Sequence, residues 1–369
     1  MHNIKKKLQK YFKNFFYKIF FLFYGKIKGK IIAKENRKIK IEKVFKEANF
    51  EYNIFVIQDG RLYTDRIQDT AIIMNNFIIE GPSHQLRPIN NANVEQNIIF
   101  EKGTPRLKKK LNGTVISLLT GGGGNVNYSH WLFDVLPRLG IYETISSLAE
   151  INYFLFPNLE KKFQKETILA LGLNYKKCLS SIKFRHISSN KIIVTDHPYC
   201  LNNDATQDIN NIPLWISEWL KNKFSKFQIR DQKSPSKIYI DRSDSETDTK
   251  NLRKILNETE LLNLLEQNNF KKVKLSKIEF SKQVQLFYNA DIVVGLHGAG
   301  FSNIVFCKPG TKIVEFKNSD QIKQYENLAL KNKLNYKSIV CEPQNTLSKN
   351  QNAHISIPLH KINEIINEK

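Results

Sequence analysis

Short apolar runs and helical patterns alternate along most of the chain, which is typical of an α/β protein. Between about residue 50 and residue 230, strand-length apolar runs and helical patterns are mixed. The runs of strand length are 52–58, 70–79, 115–119, 151–156 and 191–194, and the helical patterns are 129–139, 159–171 and 212–224. This part of the chain, taken as 44–230, is therefore predicted to form one α/β domain.

The alternation becomes regular after the polar stretch 230–236, which is predicted to link two domains. Predicted strands at 237–240, 271–275, 291–295 and 312–316 are separated by predicted helices at 257–267, 280–288 and 298–306. Strands and helices that alternate at this spacing form βαβ units, whose strands are parallel. Residues 231–345 are therefore predicted to form a second domain, followed by a tail, 346–369, with a closing helix at 361–367.

A different pattern occupies residues 1–43. Aromatic and aliphatic residues recur there at helical spacing with lysines between them, at Tyr11, Phe12, Phe15, Phe16, Ile19, Phe20 and Phe23. The segment has 14 Lys and Arg against two acids, so it carries +12 of the chain's net charge of +22. Its unbroken apolar run, 19–24, is too short to span a bilayer.

Three interpretations of this segment are open. A basic, aromatic-rich amphipathic helix is typical of a segment that lies on an anionic membrane surface, and we prefer this interpretation. Alternatively, the helix packs its aromatic face on the body of the protein. Nucleic-acid binding is the third, but no recognition motif accompanies the charge. A signal peptide is disfavoured because Lys18 interrupts the apolar part and no small-residue cleavage site follows.

Composition narrows the class of protein further. An apolar fraction of 41% and a charged fraction of 25% are those of a globular protein with a core. The four cysteines, Cys178, Cys200, Cys307 and Cys341, are far apart and form no CxxC pair, which argues against a disulfide scaffold and against a zinc finger. Reduced thiols in a cytosolic compartment are the simplest interpretation.

The segment with the strongest chemical signal follows a predicted strand at 292–294 and reads Gly-Leu-His-Gly-Ala-Gly. Glycines between a parallel strand and a helix let backbone N–H groups approach a phosphate. The predicted phosphate-binding positions are His297, Gly298, Ala299, Gly300, Ser302 and Asn303. Glu315, near the end of the next strand, is predicted to accept hydrogen bonds from ribose hydroxyls. The alternative is a tight turn beside a buried structural histidine.

Arg242 stands at the end of another predicted strand, where its guanidinium could form a fork with a diphosphate. The alternative is a surface salt bridge with a neighbouring aspartate. The acidic run 241–248 lacks the glycine and the distal glutamate of an EF-hand, so we predict no metal site there.

A second group of candidate functional residues follows the glycine run 121–124. His130, Asp134 and Arg138 are spaced four apart, so on a helix they share a face. Either His130 or Asp134 could deprotonate a hydroxyl. We predict Asp134 as the base, because a carboxylate is already ionised at neutral pH, with Arg138 holding its pKa down. Asn127 and Arg138 complete the predicted acceptor side. The alternative is a structural Asp–Arg pair beside a structural histidine.

Four segments together resemble glycosyltransferase family 61. They read NYSHWLFDVLPRL (127–139), YIDRSDS (239–245), NETEL (257–261) and ADIVVGLHGAGFSNIVFCKPGTKIVEF (290–316). The resemblance implies a GT-B fold, in which two Rossmann-like domains face each other across a cleft. It also implies transfer of a hexosyl or pentosyl group from a nucleotide sugar, with inversion of the anomeric centre.

Carried over to this sequence, the family's sites imply that the loop 297–300 and Arg242 hold the donor diphosphate. Glu315 would lie near the ribose, and the motif containing His130 and Asp134 would face the acceptor. A UDP-sugar is the expected donor, with no cofactor and no metal.

The resemblance further implies a glycan or lipid-linked acceptor in capsule or lipopolysaccharide synthesis, at the inner face of the cell membrane. Two other classes of function stay open. One is a catalytically silent subunit that binds a nucleotide sugar or a glycan, and the other is a polyanion-binding protein.

Overall fold

The computed structural model describes residues 2–47, 50–64, 69–83, 94–121, 126–200, 204–243, 253–318, 323–344 and 353–368. Residues 122–124 of the glycine run and residues 244–248 of the acidic run lie outside these ranges. The chain divides into two compact units, Met1–Asp208 and Ile209–Lys369. The polar stretch 230–236, predicted to link two domains, therefore lies inside the second unit.

The first unit is built on one large mixed sheet. Its strands are β1 (Gly29–Ile32), β2 (Ile39–Lys46), β3 (Phe50–Gln58), β4 (Arg61–Thr64), β5 (Thr70–Met74), β6 (Phe77–Glu80), β7 (Lys109–Ser117), β8 (Tyr153–Phe156), β9 (Cys178–Ser180) and β10 (His186–Thr195). Its helices are α1 (His2–Tyr24), α2 (Ile99–Lys102), α3 (Tyr128–His130), α4 (Pro137–Tyr142), α5 (Lys162–Ala170) and α6 (Ala205–Asp208), with a π turn at Trp131–Val135 between α3 and α4.

This sheet has the order β1-β6-β5-β4-β10-β7-β8-β9, and β3 pairs with both β2 and β10. The run β10-β7-β8-β9 is parallel, whereas β10 pairs antiparallel with β3 and β4. The first unit is therefore Rossmann-like only in its parallel half. The expectation of two Rossmann-like domains does not describe the antiparallel half of this sheet.

One local prediction for this unit was wrong. The run 70–79 is not one strand but the hairpin β5–β6, because Asn75 and Asn76 adopt positive φ values of 49° and 65°. Asparagine tolerates this left-handed conformation, which tight hairpin turns require. The basic segment 1–43 contains α1, β1 and the first residues of β2.

Helix α1 contacts the body of the first unit near its C-terminal end. The Phe21 ring lies so close to Gly103 that a Cβ there would be 2.5 Å from it. The Tyr24 hydroxyl accepts a hydrogen bond of 3.0 Å from the Lys108 backbone N–H, and its ring packs edge-on against His186. Of the described helices, none combines the length and apolar content that a bilayer span requires.

The second unit contains a smaller, fully parallel sheet. Its strands are β11 (Lys237–Ile240), β12 (Lys271–Val273), β13 (Ile292–Leu296), β14 (Lys312–Lys317) and β15 (Asn335–Val340). Its helices are α7 (Leu214–Lys223), α8 (Glu258–Gln267), α9 (Phe280–Asn289), α10 (Gln324–Lys331) and α11 (Leu359–Asn367), and a 3₁₀ helix spans Ala299–Phe306. The predictions of a parallel sheet and of a closing helix near 361–367 are confirmed.

The order of this sheet is β12-β11-β13-β14-β15. The chain moves outward from β11 to β12 and then returns to the other side of β11 with β13. In open parallel sheets, ligands bind outside the carboxyl ends of the strands at such a point of reversal. Arg242 follows β11, and His297 follows β13, so the topology places both at the expected ligand edge.

The C-terminal segment is attached to this sheet region through Asn257, the residue before α8. The Asn257 side-chain amide donates to the Ile357 carbonyl at 2.9 Å, and its Oδ1 accepts from the Ile357 N–H at 2.8 Å. Ile255 also forms a β-bridge with Ile355. Part of the NETEL motif therefore has a structural role, because it holds residues 355–357 in place.

We expect Asn257→Ala to lower the free energy of unfolding by about 2 kcal/mol, because it removes two hydrogen bonds worth about 1 kcal/mol each. Urea denaturation measures this change. Asn367→Ala is the matched control, since the Asn367 amide bonds only to Asn363 within α11. Equal stability of the two variants would show that Asn257 does not hold the C-terminal segment.

Candidate functional site

The loop after β13 is shaped by the guanidinium of Arg242. Arg242 donates a short hydrogen bond from Nη1 to the His297 carbonyl. A Cβ on Gly298 would lie 2.6 Å from Arg242 Cζ and 2.8 Å from Nη1. A side chain at position 298 would therefore displace the guanidinium that lies over the loop.

His297 is oriented by a buried carboxylate. Its Nδ1 forms a short hydrogen bond with Glu315 Oε1, and the Tyr336 hydroxyl donates to Glu315 Oε2 at 2.5 Å. The carboxylate accepts both bonds, so Nδ1 carries the proton and Nε2 is the ring nitrogen left for a ligand. The His297 ring also packs against the Tyr325 ring, with centroids 5.1 Å apart.

This geometry corrects the role predicted for Glu315. Its side chain is 1% exposed, and its two oxygens accept from His297 and Tyr336. In this structure it positions His297, and both of its oxygens are engaged within the second unit.

Tyr336 was missed from the sequence. It pairs with Ile313, two positions from the Glu315–Ser338 pair, so it shares a face of the sheet with Glu315. Burial and the Glu315 charge raise the pKa of Tyr336, which keeps its hydroxyl protonated as a donor.

Ser302 and Asn303, predicted to contact phosphate, are fully buried in the 3₁₀ helix. The Asn303 amide donates to Gln283 Oε1 at 3.0 Å and to the Gly300 carbonyl at 3.3 Å. Both residues face the interior of the second unit, so their side chains are structural here. Ala299 and Gly300 are partly exposed at the start of the helix, where their backbone can contribute to an anion site.

In the first unit, the motif around His130 begins with a helix cap. Asn127 Oδ1 accepts hydrogen bonds from the N–H groups of Ser129 at 2.9 Å and His130 at 3.3 Å. Asparagine is a preferred residue at this position because its side chain satisfies the free N–H groups of the first turn. The Oδ1 of Asn127, predicted on the acceptor side, therefore serves the backbone.

Asp134 is a buried carboxylate between two histidines. Its Oδ2 lies 2.8 Å from His130 Nδ1 and 3.6 Å from His197 Nε2. His197 was missed from the sequence, although it follows β10, whose carboxyl end lies at the same sheet edge as that of β7. The His197 Nδ1 accepts from the Cys200 N–H at 3.0 Å, so its proton is on Nε2, toward Asp134.

The charges of this cluster shift the pKa of each member. Burial alone would raise the pKa of Asp134, but the charge and hydrogen bond of His130, together with the nearby His197, lower it overall. The pKa of His130 is raised, chiefly by the Asp134 charge. Burial lowers the pKa of His197, which favours its neutral form. The stable arrangement is an ionised Asp134 that holds the His130 Nδ1 proton.

Arg138 does not pair with Asp134 as predicted. Its Nη1 donates to the Leu119 carbonyl at 2.6 Å, and burial lowers its pKa to about 10. The reason is the π turn, in which the Leu136 N–H bonds to the carbonyl of Trp131, five residues back. The wider turn changes the rotation of later residues, so the spacing of four no longer stacks residue 138 above residue 134.

The clusters around His130 and His297 therefore contain the same arrangement. In each, a buried carboxylate holds the Nδ1 proton of a histidine, which leaves Nε2 as the reactive nitrogen. The His130 side chain is 28% exposed, whereas the Asp134 side chain is 0% exposed. The described residues include no group of three or more His, Cys, Asp or Glu side chains suited to hold a metal ion.

Comparison with known proteins identifies the family. The sequence model of Glycosyltransferase 61 matches residues 128–314. The chain belongs to glycosyltransferase family 61. The family match contains His130, Asp134, His197 and His297 and ends one residue before Glu315.

Individual relatives in this family are similar over a shorter stretch. The chain is 35% identical over 82 residues to the EGF domain-specific O-linked N-acetylglucosamine transferase of Gallus gallus. It is 35% identical over 80 residues to the Drosophila melanogaster protein of the same name, and 33% identical over 82 residues to that of Canis lupus familiaris. Each match covers 21% of this chain and about 15% of the relative's length.

We expect the His130 pKa to lie above 6.5 and to fall in Asp134→Asn, because the raised value depends chiefly on the Asp134 charge. Titration of the His130 ring signals by NMR measures both values. Glu150→Gln removes an exposed carboxylate of the same unit and should leave the His130 titration unchanged. An unchanged pKa in Asp134→Asn would contradict the arrangement described for this cluster.

Proposed function

We propose that this chain is an inverting glycosyltransferase that transfers a sugar from a nucleotide sugar, a UDP-sugar, to a glycan acceptor. The observation that carries the proposal is the group at the point of reversal in the parallel sheet. There Arg242 lies against Gly298, and Glu315 orients His297. A guanidinium, a histidine and a glycine loop after a strand are suited to a diphosphate.

The relatives support the type of reaction. Three of them are named as O-linked N-acetylglucosamine transferases. Family membership supports a GT-B fold, with the donor on the second unit and the acceptor on the first. We further propose a role in capsule or lipopolysaccharide synthesis, with a glycan or lipid-linked acceptor.

On the donor side, the charge to be stabilised is that of the departing nucleoside diphosphate. Arg242 and His297 would donate charge-assisted hydrogen bonds to this diphosphate from positions that are fixed before it binds. The proposed displacement transfers no electrons and forms no covalent enzyme intermediate, so it uses no cofactor. The bond from the anomeric carbon to the diphosphate breaks as the acceptor oxygen forms its bond on the opposite face.

On the acceptor side, we propose His130 as the base, in place of the Asp134 favoured by the sequence. A base must come within hydrogen-bond reach of the acceptor hydroxyl. The Asp134 side chain is 0% exposed, and one of its oxygens already holds His130. His130 can use Nε2 to take the proton, while Asp134 fixes its tautomer and stabilises the imidazolium that forms.

The test is a transfer assay with a panel of UDP-sugars and glycan acceptors. His130→Ala should lower turnover by about 10²-fold or more, because a general base contributes 10²–10⁴-fold. Asp134→Asn should also lower turnover. It should move the pH at which His130 loses its proton to a lower value, because the Asp134 charge raises the His130 pKa. Donor affinity should change little in either variant, and Glu150→Gln should behave as wild type.

Three outcomes would contradict parts of this proposal. If Asp134→Asn is much more damaging than His130→Ala, Asp134 is the base after all. If neither variant changes turnover, the base lies elsewhere in the first unit. If nucleotide sugars bind but no transfer or hydrolysis occurs with any pair, the chain is the silent binding subunit, not an enzyme.

We also propose that α1 binds an anionic membrane surface, so that the enzyme works at the cytoplasmic face of the cell membrane. The side chains of Tyr11, Phe12 and Phe15 are 74%, 66% and 60% exposed. Lysines at 13 and 18 are also exposed on this helix. Packing on the body therefore accounts only for the C-terminal end of α1, where Phe21 and Tyr24 make their contacts.

We expect the full chain to co-sediment with vesicles that contain anionic lipid and to be released as salt rises, because each surface lysine contributes about 1 kcal/mol. Replacing Phe12, Phe15 and Phe16 together by Ser should weaken binding at least tenfold. Leu330→Ser is the control, since Leu330 is similarly exposed, at 58%, but lies on α10. Equal binding by both variants, or binding to neutral vesicles alone, would refute the membrane role.

A further inference from the structure

A second arginine reaches the donor side of the second unit. Arg253 lies just before α8, and its side chain is mostly buried. Among the described residues, its Nη1 is buried and has no hydrogen-bond partner. A buried guanidinium N–H without an acceptor is unfavourable, so this donor is suited to a group that arrives from solution.

The electrostatics around Arg253 indicate the charge of that group. Burial and, next, the positive charge of Arg242 lower the pKa of Arg253 to about 10. Glu315 and Tyr325 act in the opposite direction. The Glu315 carboxylate already accepts hydrogen bonds from His297 and Tyr336. Arg253 lies in the connection that leaves the carboxyl end of β11, the strand that Arg242 follows, so the topology puts both arginines at the same sheet edge. An anion at this edge would relieve the repulsion between their charges.

The backbone holds Arg253 in this position without a ligand. The Lys254 N–H donates to His354 Nδ1 at 3.0 Å, and the Ile355 N–H donates to the Lys254 carbonyl at 3.0 Å. The bridge between Ile255 and Ile355 and the two hydrogen bonds of Asn257 continue this attachment. The position of Arg253 therefore depends on the C-terminal segment, which makes it a preorganised donor.

We propose that Arg253 is a second phosphate-binding residue, which acts with Arg242 on the two phosphates of one nucleoside diphosphate. This inference rests on the proposed function and deepens it, because two separate guanidinium groups favour a diphosphate over a monophosphate. Each arginine can give a phosphate two parallel hydrogen bonds.

The experiment measures the affinity of the full chain for UDP, UMP and inorganic pyrophosphate by calorimetry. We expect wild type to bind UDP and pyrophosphate at least tenfold more tightly than UMP. Arg253→Gln should weaken UDP binding at least tenfold and reduce the preference for UDP over UMP. The matched control is Lys254→Gln, which removes the same charge from an exposed neighbour and should stay within twofold of wild type.

Two further variants keep the result interpretable. Arg253→Lys retains the charge without the planar guanidinium, so its loss of UDP affinity should be intermediate. It also tests the proposal if Arg253→Gln does not fold. In the double variant, Arg242→Gln with Arg253→Gln, the fold-loss of UDP affinity should be smaller than the product of the two single fold-losses. Residues that bind one ligand group are coupled, so their effects are not independent.

The outcomes separate this inference from the proposed function. If wild type binds UDP but Arg253→Gln and Lys254→Gln lose equal affinity, or if UDP and UMP bind equally well, the role of Arg253 is overturned while the donor site stands. If wild type binds neither UDP nor pyrophosphate, and no UDP-sugar binds, the donor site itself is wrong. Normal UDP affinity in Arg253→Lys would show that charge alone, and not a guanidinium fork, acts here.

Discussion

Parallel strand pairing is the constraint on which the donor side of this protein depends. Parallel strands place all their carboxyl ends at one edge, and the order β12-β11-β13-β14-β15 leaves the crevice between β11 and β13. Arg242 and His297 follow these two strands, and the guanidinium occupies the space that a side chain at Gly298 would fill. The chemistry of the loop thus follows from topology, since residues distant in sequence become neighbours at one edge.

The same pairing of a histidine with a buried carboxylate occurs in each unit, with different results. Glu315 is shared with Tyr336, and the His297 beside it lies within a cationic region. Asp134 is shared with His197, whose burial keeps it neutral, and the His130 beside it is partly exposed. One histidine is therefore suited to bind an anion and the other to accept a proton, although the bond that orients them is alike.

Local patterns in the sequence were sufficient to predict the features that depend on residues close together in the chain. The strand at 237–240 was predicted with its observed bounds, and the spacing of His130 and Asp134 correctly placed them in contact. Features set by distant contacts could not be predicted. The π turn removed Arg138 from Asp134, the partners of Glu315 come from β13 and β15, and His197 reaches Asp134 from the end of β10.

The arginines at the donor edge connect stability with binding. Burial and mutual repulsion make the charged form of Arg253 less favourable in the folded chain than in water, as its lowered pKa shows. The C-terminal segment fixes the backbone next to Arg253 with hydrogen bonds that need no ligand. An anion that binds only the folded state then adds stability in proportion to the logarithm of its concentration. If the proposed donor binds here, the anion that stabilises this edge is the diphosphate that leaves during transfer.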